Sequence, residues 1–213
     1  MEDNTMKRIG MAVALAGMVG FAGTANGQAC VGAATTPGIF SAGGNVGFAS
    51  DARVYGAEFG ANFQSPVFAG GSFAITDWDR EDWDNWTTFG AQVGYELGAA
   101  GVAPMGYSIC PTLGVASTVT GFGDRLEVPL GLGLGSSFGM GGFRVIPFVH
   151  PQFAFLRWSP DNGEADTDSF FRVHGGATLD LGTFYVQGTL GQSFEEGPFE
   201  LGTLFGIGAG VKF

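Results

Sequence analysis

From about residue 40 onward, apolar side chains fall at every second position through one stretch of about ten residues after another. Tyr55, Ala57, Phe59, Ala61 and Phe63 alternate with Gly56, Glu58, Gly60 and Asn62. Phe89, Ala91, Val93, Tyr95 and Leu97 alternate with Gly90, Gln92, Gly94 and Glu96. Leu126, Val128, Leu130, Leu132 and Leu134 alternate with Glu127, Gly131, Gly133 and Gly135. Successive side chains of a β-strand point to opposite faces, so this period describes strands with two unlike sides. One side is Leu, Val, Phe and Tyr. The other is glycine with sparse charges. A soluble sandwich also alternates, but it turns a densely polar face to water. A lipid-facing side backed by a narrow polar lumen suits a transmembrane β-barrel. No apolar run after residue 30 is long enough to cross a bilayer as a helix. Backbone amides in hydrocarbon must all be paired, and a closed antiparallel sheet pairs them. The expected fold is therefore all-β, a closed antiparallel transmembrane β-barrel.

Composition excludes other classes. Glycine supplies 39 of 213 residues without a triplet repeat, which is not collagen. The chain is too apolar and too aromatic for disorder. With 9 Lys+Arg against 20 Asp+Glu, it lacks the basic face that binding nucleic-acid phosphates requires.

The pattern predicts ten strands, at 42–50, 54–63, 67–76, 87–97, 105–117, 124–137, 143–157, 169–180, 183–193 and 199–213. Eight is the alternative if the first hairpin stays outside the barrel. Connections 77–86, 118–123 and 158–168 read as long extracellular loops, and 64–66, 98–104, 138–142 and 181–182 as periplasmic turns. Connections 51–53 and 194–198 are short but fall on the extracellular side. Both termini then lie in the periplasm. Trp78, Trp83, Trp86 and Trp158 fall at or near extracellular ends, where aromatic girdles belong.

The N-terminus reads as a secretory signal. Lys7 and Arg8 precede an apolar run from Ile9 to Ala22, and small residues follow at Gly23, Ala25 and Gly27. Cleavage is expected after Gly27, with Ala29 as second choice. This divides the chain into a signal (1–27), a periplasmic or lumenal segment (28–41) and the barrel (42–213). Glu2 and Asp3 leave together with Lys7 and Arg8, so 18 acids and 7 bases remain and the net charge stays −11.

Parity assigns a set of polar residues to the lumen. It includes Glu58, Asn62, Gln92, Glu96, Cys110, Glu127, Arg144, His150, Gln152, Arg172, His174, Asp180, Tyr185, Gln187 and Lys212. Placing the turn of the 143–180 hairpin near Gly163 and Glu164, with partner numbers that sum to about 324, sets Arg144 opposite Asp180, His150 opposite His174 and Gln152 opposite Arg172. An Arg144–Asp180 ion pair is expected. The pair His150 and His174 reads as hydrogen-bonded lumen histidines, since two ligands alone do not make a metal site.

Two cysteines in an exported chain meet oxidising conditions. A Cys30–Cys110 disulfide would make residues 30–40 a tethered plug. Two unpaired thiols are the alternative. The extracellular loops are acidic and aromatic: Asp77, Trp78, Asp79, Asp82, Trp83, Asp84 and Trp86 in one, Asp161, Asp166 and Asp168 in another. They read as solvated loops at the lipid headgroups, with Ca²⁺ as the alternative occupant. No cofactor and no other metal is expected.

The last strand carries Phe205, Ile207, Ala209, Val211 and Phe213 at alternate positions ending on a terminal Phe. It resembles the C-terminal signal of bacterial outer-membrane barrels, which the barrel-assembly machinery reads. The chain as a whole resembles the small barrels of the opacity-protein and OmpA-transmembrane-domain superfamily. That resemblance implies a Gram-negative outer-membrane location, a monomer, and contact with lipid and lipopolysaccharide. A cell-wall-binding domain like that of the OmpA proteins is not expected. Function is expected to be structural or surface-interacting, with a plugged small-solute or ion channel as the alternative. No nucleophile stands beside a base near a rim, so the chain is expected not to be an enzyme.

Overall fold

The computed structural model describes residues 40–62, 66–79, 84–97, 107–140, 142–194 and 202–213. The expected signal and nearly all of the 28–41 segment lie outside them. Eleven strands follow one another: β1 (Phe40–Phe48), β2 (Ala52–Asn62), β3 (Val67–Trp78), β4 (Trp86–Tyr95), β5 (Tyr107–Thr120), β6 (Gly123–Ser136), β7 (Phe138–Met140), β8 (Phe143–Pro160), β9 (Asp166–Asp180), β10 (Phe184–Ser193) and β11 (Thr203–Lys212). The short β7 continues β6 beyond Ser137, and both pair with β8. The barrel therefore has ten staves, each hydrogen-bonded to its chain neighbours in antiparallel fashion. No helix occurs among the described residues.

The ring closes between β1 and β11, from Ser41 opposite Lys212 to Phe48 opposite Phe205. At the rim of that seam Phe40 and Phe213 exchange two backbone hydrogen bonds of 2.9 and 3.0 Å. The first hairpin is part of the ring, which sets the eight-stranded alternative aside.

Every second residue faces outward, and through the middle of the strands these residues are mostly apolar. Phe59, Phe89, Val93, Leu113, Leu130, Leu190 and Ile207 are among the exposed large side chains. An exposed apolar belt on all sides is stable only against hydrocarbon. Phe205, Ile207, Ala209, Val211 and Phe213 all lie on this outer face.

The strands differ in height. β5, β6, β8 and β9 hold 14, 14, 18 and 15 residues, whereas β1 to β4, β10 and β11 hold 9 to 12. At about 3.3 Å per residue and a tilt of about 40°, β8 rises roughly 45 Å, well beyond an apolar band of about 25 Å. The extra length sits at the end away from the termini, called here the loop end.

This height corrects three expectations. The 118–123 connection is not a long loop: the ladder runs on to Thr120 opposite Gly123, leaving a turn at 121–122. Thr120 Oγ1 closes it, donating to the Gly123 carbonyl at 2.8 Å and accepting from the Phe122 amide at 3.1 Å. Asp166 and Asp168 are strand residues of β9 rather than loop residues. Asp77 and Trp78 end β3, and Trp86 begins β4.

Candidate functional site

The lumen is filled by side chains, most of them projecting from β5, β6, β8 and β9. The β8–β9 hairpin has the register read from the sequence: Arg144 opposite Asp180, His150 opposite His174, Gln152 opposite Arg172. Two carboxylates organise the lumen, and each lies between two cations.

Toward the termini, Asp180 is almost fully enclosed, at 1 % exposure. Arg144 donates to its Oδ2 at 2.5 Å, and Lys212 Nζ reaches Oδ1 across the closing strands. The Gly182 amide also donates to Oδ1, at 3.0 Å. Gly182 has φ 89°, a left-handed turn conformation that favours glycine. The last pairing step of the ring thus carries an ion triad spanning β8, β9 and β11.

Farther toward the loop end, Glu127 accepts from Arg125 Nε at 2.7 Å and from Arg172 at 3.1 Å. Both guanidinium groups stand over the Phe170 ring, 5.4 and 5.8 Å from its centre, which is cation–π range. Arg172 Nε donates to Gln152 Oε1 at 2.6 Å. That bond fixes the Gln152 amide, whose nitrogen lies 3.2 Å from His150 Nδ1. His150 Nε2 is 2.8 Å from Thr112 Oγ1. An amide N–H donating to Nδ1 leaves the ring proton on Nε2, so His150 donates to Thr112 instead of accepting its proton. The pair is not arranged as an activated nucleophile.

The histidines are register partners but lean apart. A side chain at Gly131 of β6 would strike the His150 ring, and one at Gly191 of β10 would meet His174 at 3.0 Å. Each imidazole therefore lies over a glycine on the far side of its own strand. Among the described residues no group of three or more His, Cys, Asp or Glu side chains is placed to hold a metal.

The opposite wall is richer in glycine. Tyr185 of β10 lies flat across it, and its hydroxyl donates to Glu58 at 3.0 Å. A Cβ at Gly43 or Gly210 would fall on the Tyr185 ring, so glycine there leaves room for the phenol. Glu96 accepts from Ser108 Oγ at 2.5 Å. Cys110 is fully enclosed beside Phe68 and is disulfide-bonded. The chain has one other cysteine, Cys30, which lies outside the described residues.

The tryptophans correct a further expectation. Trp78 and Trp86 do not form a girdle toward lipid. They turn inward, 6 % and 5 % exposed, and pack edge to face at 4.8 Å over Ala52. Parity carried the signal: positions 78 and 86 are even, like the inward Thr76 and Gly90. Trp83 and Asp82 lie outside the described residues. Asp161 is exposed, as are Asp166 and Asp168, whose carboxylates accept from the amides of Thr167 and Ser169 at 2.8 and 2.7 Å. Asp79 lies 3.8 Å from Arg53, both well exposed, and Asp84 is exposed. Arg125, Thr112 and Phe170 were missing from the sequence-derived site. Arg125 shares the inward parity of Glu127, and that was its available signal.

The lumen is balanced: Glu58, Glu96, Glu127 and Asp180 against Arg125, Arg144, Arg172 and Lys212. Among the described residues, the acid excess lies at the loop end, where strand ends and connections hold nine acids and only Arg53 and Arg157.

No family model and no curated protein matches the chain. The expected opacity-protein and OmpA-like membership is thus without support from either comparison. Among solved structures, LpxR from Salmonella typhimurium is similar, with a TM-score of 0.46 and 12 % identity, over 90 % of this chain and 79 % of that one. LpxR is an outer-membrane barrel and an enzyme, a lipid A deacylase. The expectation that this chain is not an enzyme is corrected on that finding.

Proposed function

We propose that this chain is a Gram-negative outer-membrane protein whose loop end is its working surface. The observation that carries the reading is the division of charge. The lumen is neutral and filled, while the described residues of the loop end hold nine acids against two arginines. Such a surface attracts cationic partners and divalent ions and repels bare anions. Residues 1–27 act as the export signal, and the outward-facing Phe213 strand serves as the signal for the barrel-assembly machinery. The opacity-protein and OmpA-like resemblance agrees with this placement.

A second reading, a plugged channel, is favoured by the bonded state of Cys110. The proposed partner is Cys30, which would tie the N-terminal segment into the lumen. Intact mass unchanged by alkylation without reductant, with two labels after reduction, supports that pairing.

The test of function is planar-bilayer conductance of the refolded protein, with and without reductant. Silence in both states supports the surface reading. Channels that open only on reduction support the plug and reverse the order of the two. Channels in both states reject a filled lumen.

A further inference from the structure

Outside the lumen, a groove of about 460 Å³ runs down the outer wall over β6, β8 and β9 near the loop end. The strand registers arrange its lining in rows. One row is Leu126, Arg157 and Thr167, and the next toward the membrane centre is Val128, Phe155 and Ser169. The row below that is Leu130, Phe153 and Phe171, all exposed and apolar. Within three rows the wall changes from hydrocarbon to one guanidinium with two hydroxyls. The same gradient exists between the acyl chains of a lipid and its headgroup.

Arg157 is singular. Arg53, Arg125, Arg144, Arg172 and Lys212 each have a carboxylate within 4.0 Å. Arg157 is the one cation among the described residues with no such partner, although it lies at the acidic end. Asp168 also borders the groove; its Oδ1 accepts from the Ser169 amide at 2.7 Å, and its parity places it on the other face of β9 from Thr167 and Ser169. An exposed guanidinium above an apolar floor, flanked by hydroxyls, is built for a phosphate-bearing headgroup. Arginine offers two parallel N–H donors to such a group, and the hydroxyls of Thr167 and Ser169 donate to its remaining oxygens.

We propose that this groove binds one lipid with an anionic phosphomonoester headgroup, in the leaflet at the loop end. Its phosphate lies on Arg157, Thr167 and Ser169, and an acyl chain lies over Val128, Phe155 and Phe153. The site is distinct from the acidic loop surface and has the opposite charge preference. It also gives the tall strands a covalently independent anchor in the headgroup layer.

The experiment is native mass spectrometry of the full protein, released from micelles containing equal phosphatidic acid and phosphatidylcholine. A heat-modifiability gel confirms that each variant is folded. Wild type is expected to retain phosphatidic acid about tenfold over phosphatidylcholine. Arg157→Ala should lose about that factor, Arg157→Lys should recover part of it, and Arg53→Ala should match wild type. Phe155→Ala should lower retention of both lipids. An unchanged preference in Arg157→Ala overturns the proposal. So does an equal loss in Arg53→Ala, which would mean diffuse attraction. Displacement of the lipid by excess inorganic phosphate also overturns it, by revealing a site for a free anion.

Discussion

The tall wall of the barrel (β5, β6, β8 and β9) and the low wall (β1 to β4, β10 and β11) solve the same enclosure problem with opposite chemistry. Into the lumen the tall wall sends Thr112, Arg125, Glu127, Arg144, His150, Gln152, Phe170 and Arg172. The low wall sends in Phe68, Trp78, Trp86, Tyr185 and Lys212, set among glycines covered by its own neighbouring side chains: Gly43 and Gly210 under Tyr185, Gly56 beside Asn45, Gly70 beside Gln92, Gly90 beside Ser72 and Gly206 beside Thr189. A barrel of this strand number has room for side chains and little else. A long side chain that lies across its neighbouring strand therefore requires a small residue beneath it. The difference teaches that the glycine excess is a packing counterpart of the polar network and not a sign of loose chain.

The sharpest way to break this comparison is Glu127→Ala. It removes the carboxylate from between Arg125 and Arg172 and leaves two cations facing one another. Removing one partner of a buried ion pair costs about 3–5 kcal/mol, and the low end is expected because Arg172 is partly exposed. Urea midpoints of the folded gel species in vesicles would measure it, with Glu127→Gln losing less. A loss below about 1 kcal/mol would mean that water screens the network and that the tall wall is not held by its charges.

The low wall has the mirror test. Gly210→Leu should drive the Tyr185 ring off its bed and break its bond to Glu58, at about 2 kcal/mol by overpacking. Gly188, whose added Cβ would meet nothing within 4 Å, should accept alanine without loss. Tyr185→Phe should sit between these, at about 1 kcal/mol for one buried hydrogen bond. Equal effects at positions 210 and 188 would remove steric pairing as the reason for the glycines.

Much of this was legible in the sequence. Strand number and facing follow from a strict period of two, because a one-residue slip would put every apolar side chain in the lumen. The register of β8 on β9 was legible because the turn residues around Asn162 and Gly163 mark the centre of a long, regular hairpin. What escaped has physical causes. Residue type suggested a membrane girdle for Trp78 and Trp86, yet above the apolar band the tryptophans gain more by packing on each other inside the mouth. Phe68, Phe148 and Phe170 are apolar but inward, and only parity separates them from the lipid-facing set. The ends of β5 and β8 and the start of β9 run past the alternating pattern because beyond the membrane neither face needs hydrocarbon. Arg157 was passed over because one arginine in an acidic segment reads as solvated until its lack of a carboxylate partner is seen.

The smallest expected effect sharpens the comparison most. Arg53 and Asp79 form an ion pair on the low wall at 3.8 Å, with side chains 52 % and 55 % exposed. Arg144 and Asp180 form one on the tall wall at 2.5 Å, with side chains 29 % and 1 % exposed. A double-mutant cycle isolates the coupling in each. For Arg53–Asp79 it should be below about 0.5 kcal/mol and vanish in high salt, because water and ions screen an exposed pair. For Arg144–Asp180 it should be about 2 kcal/mol and resist salt. Lys212 complicates that second cycle, since it also holds Asp180 and partly replaces Arg144 when that residue is removed. Repeating the Arg144–Asp180 cycle in a Lys212→Met background should therefore raise the coupling. Unchanged coupling there would mean that the two cations act on Asp180 independently and that the closing seam does not share the network of the tall wall.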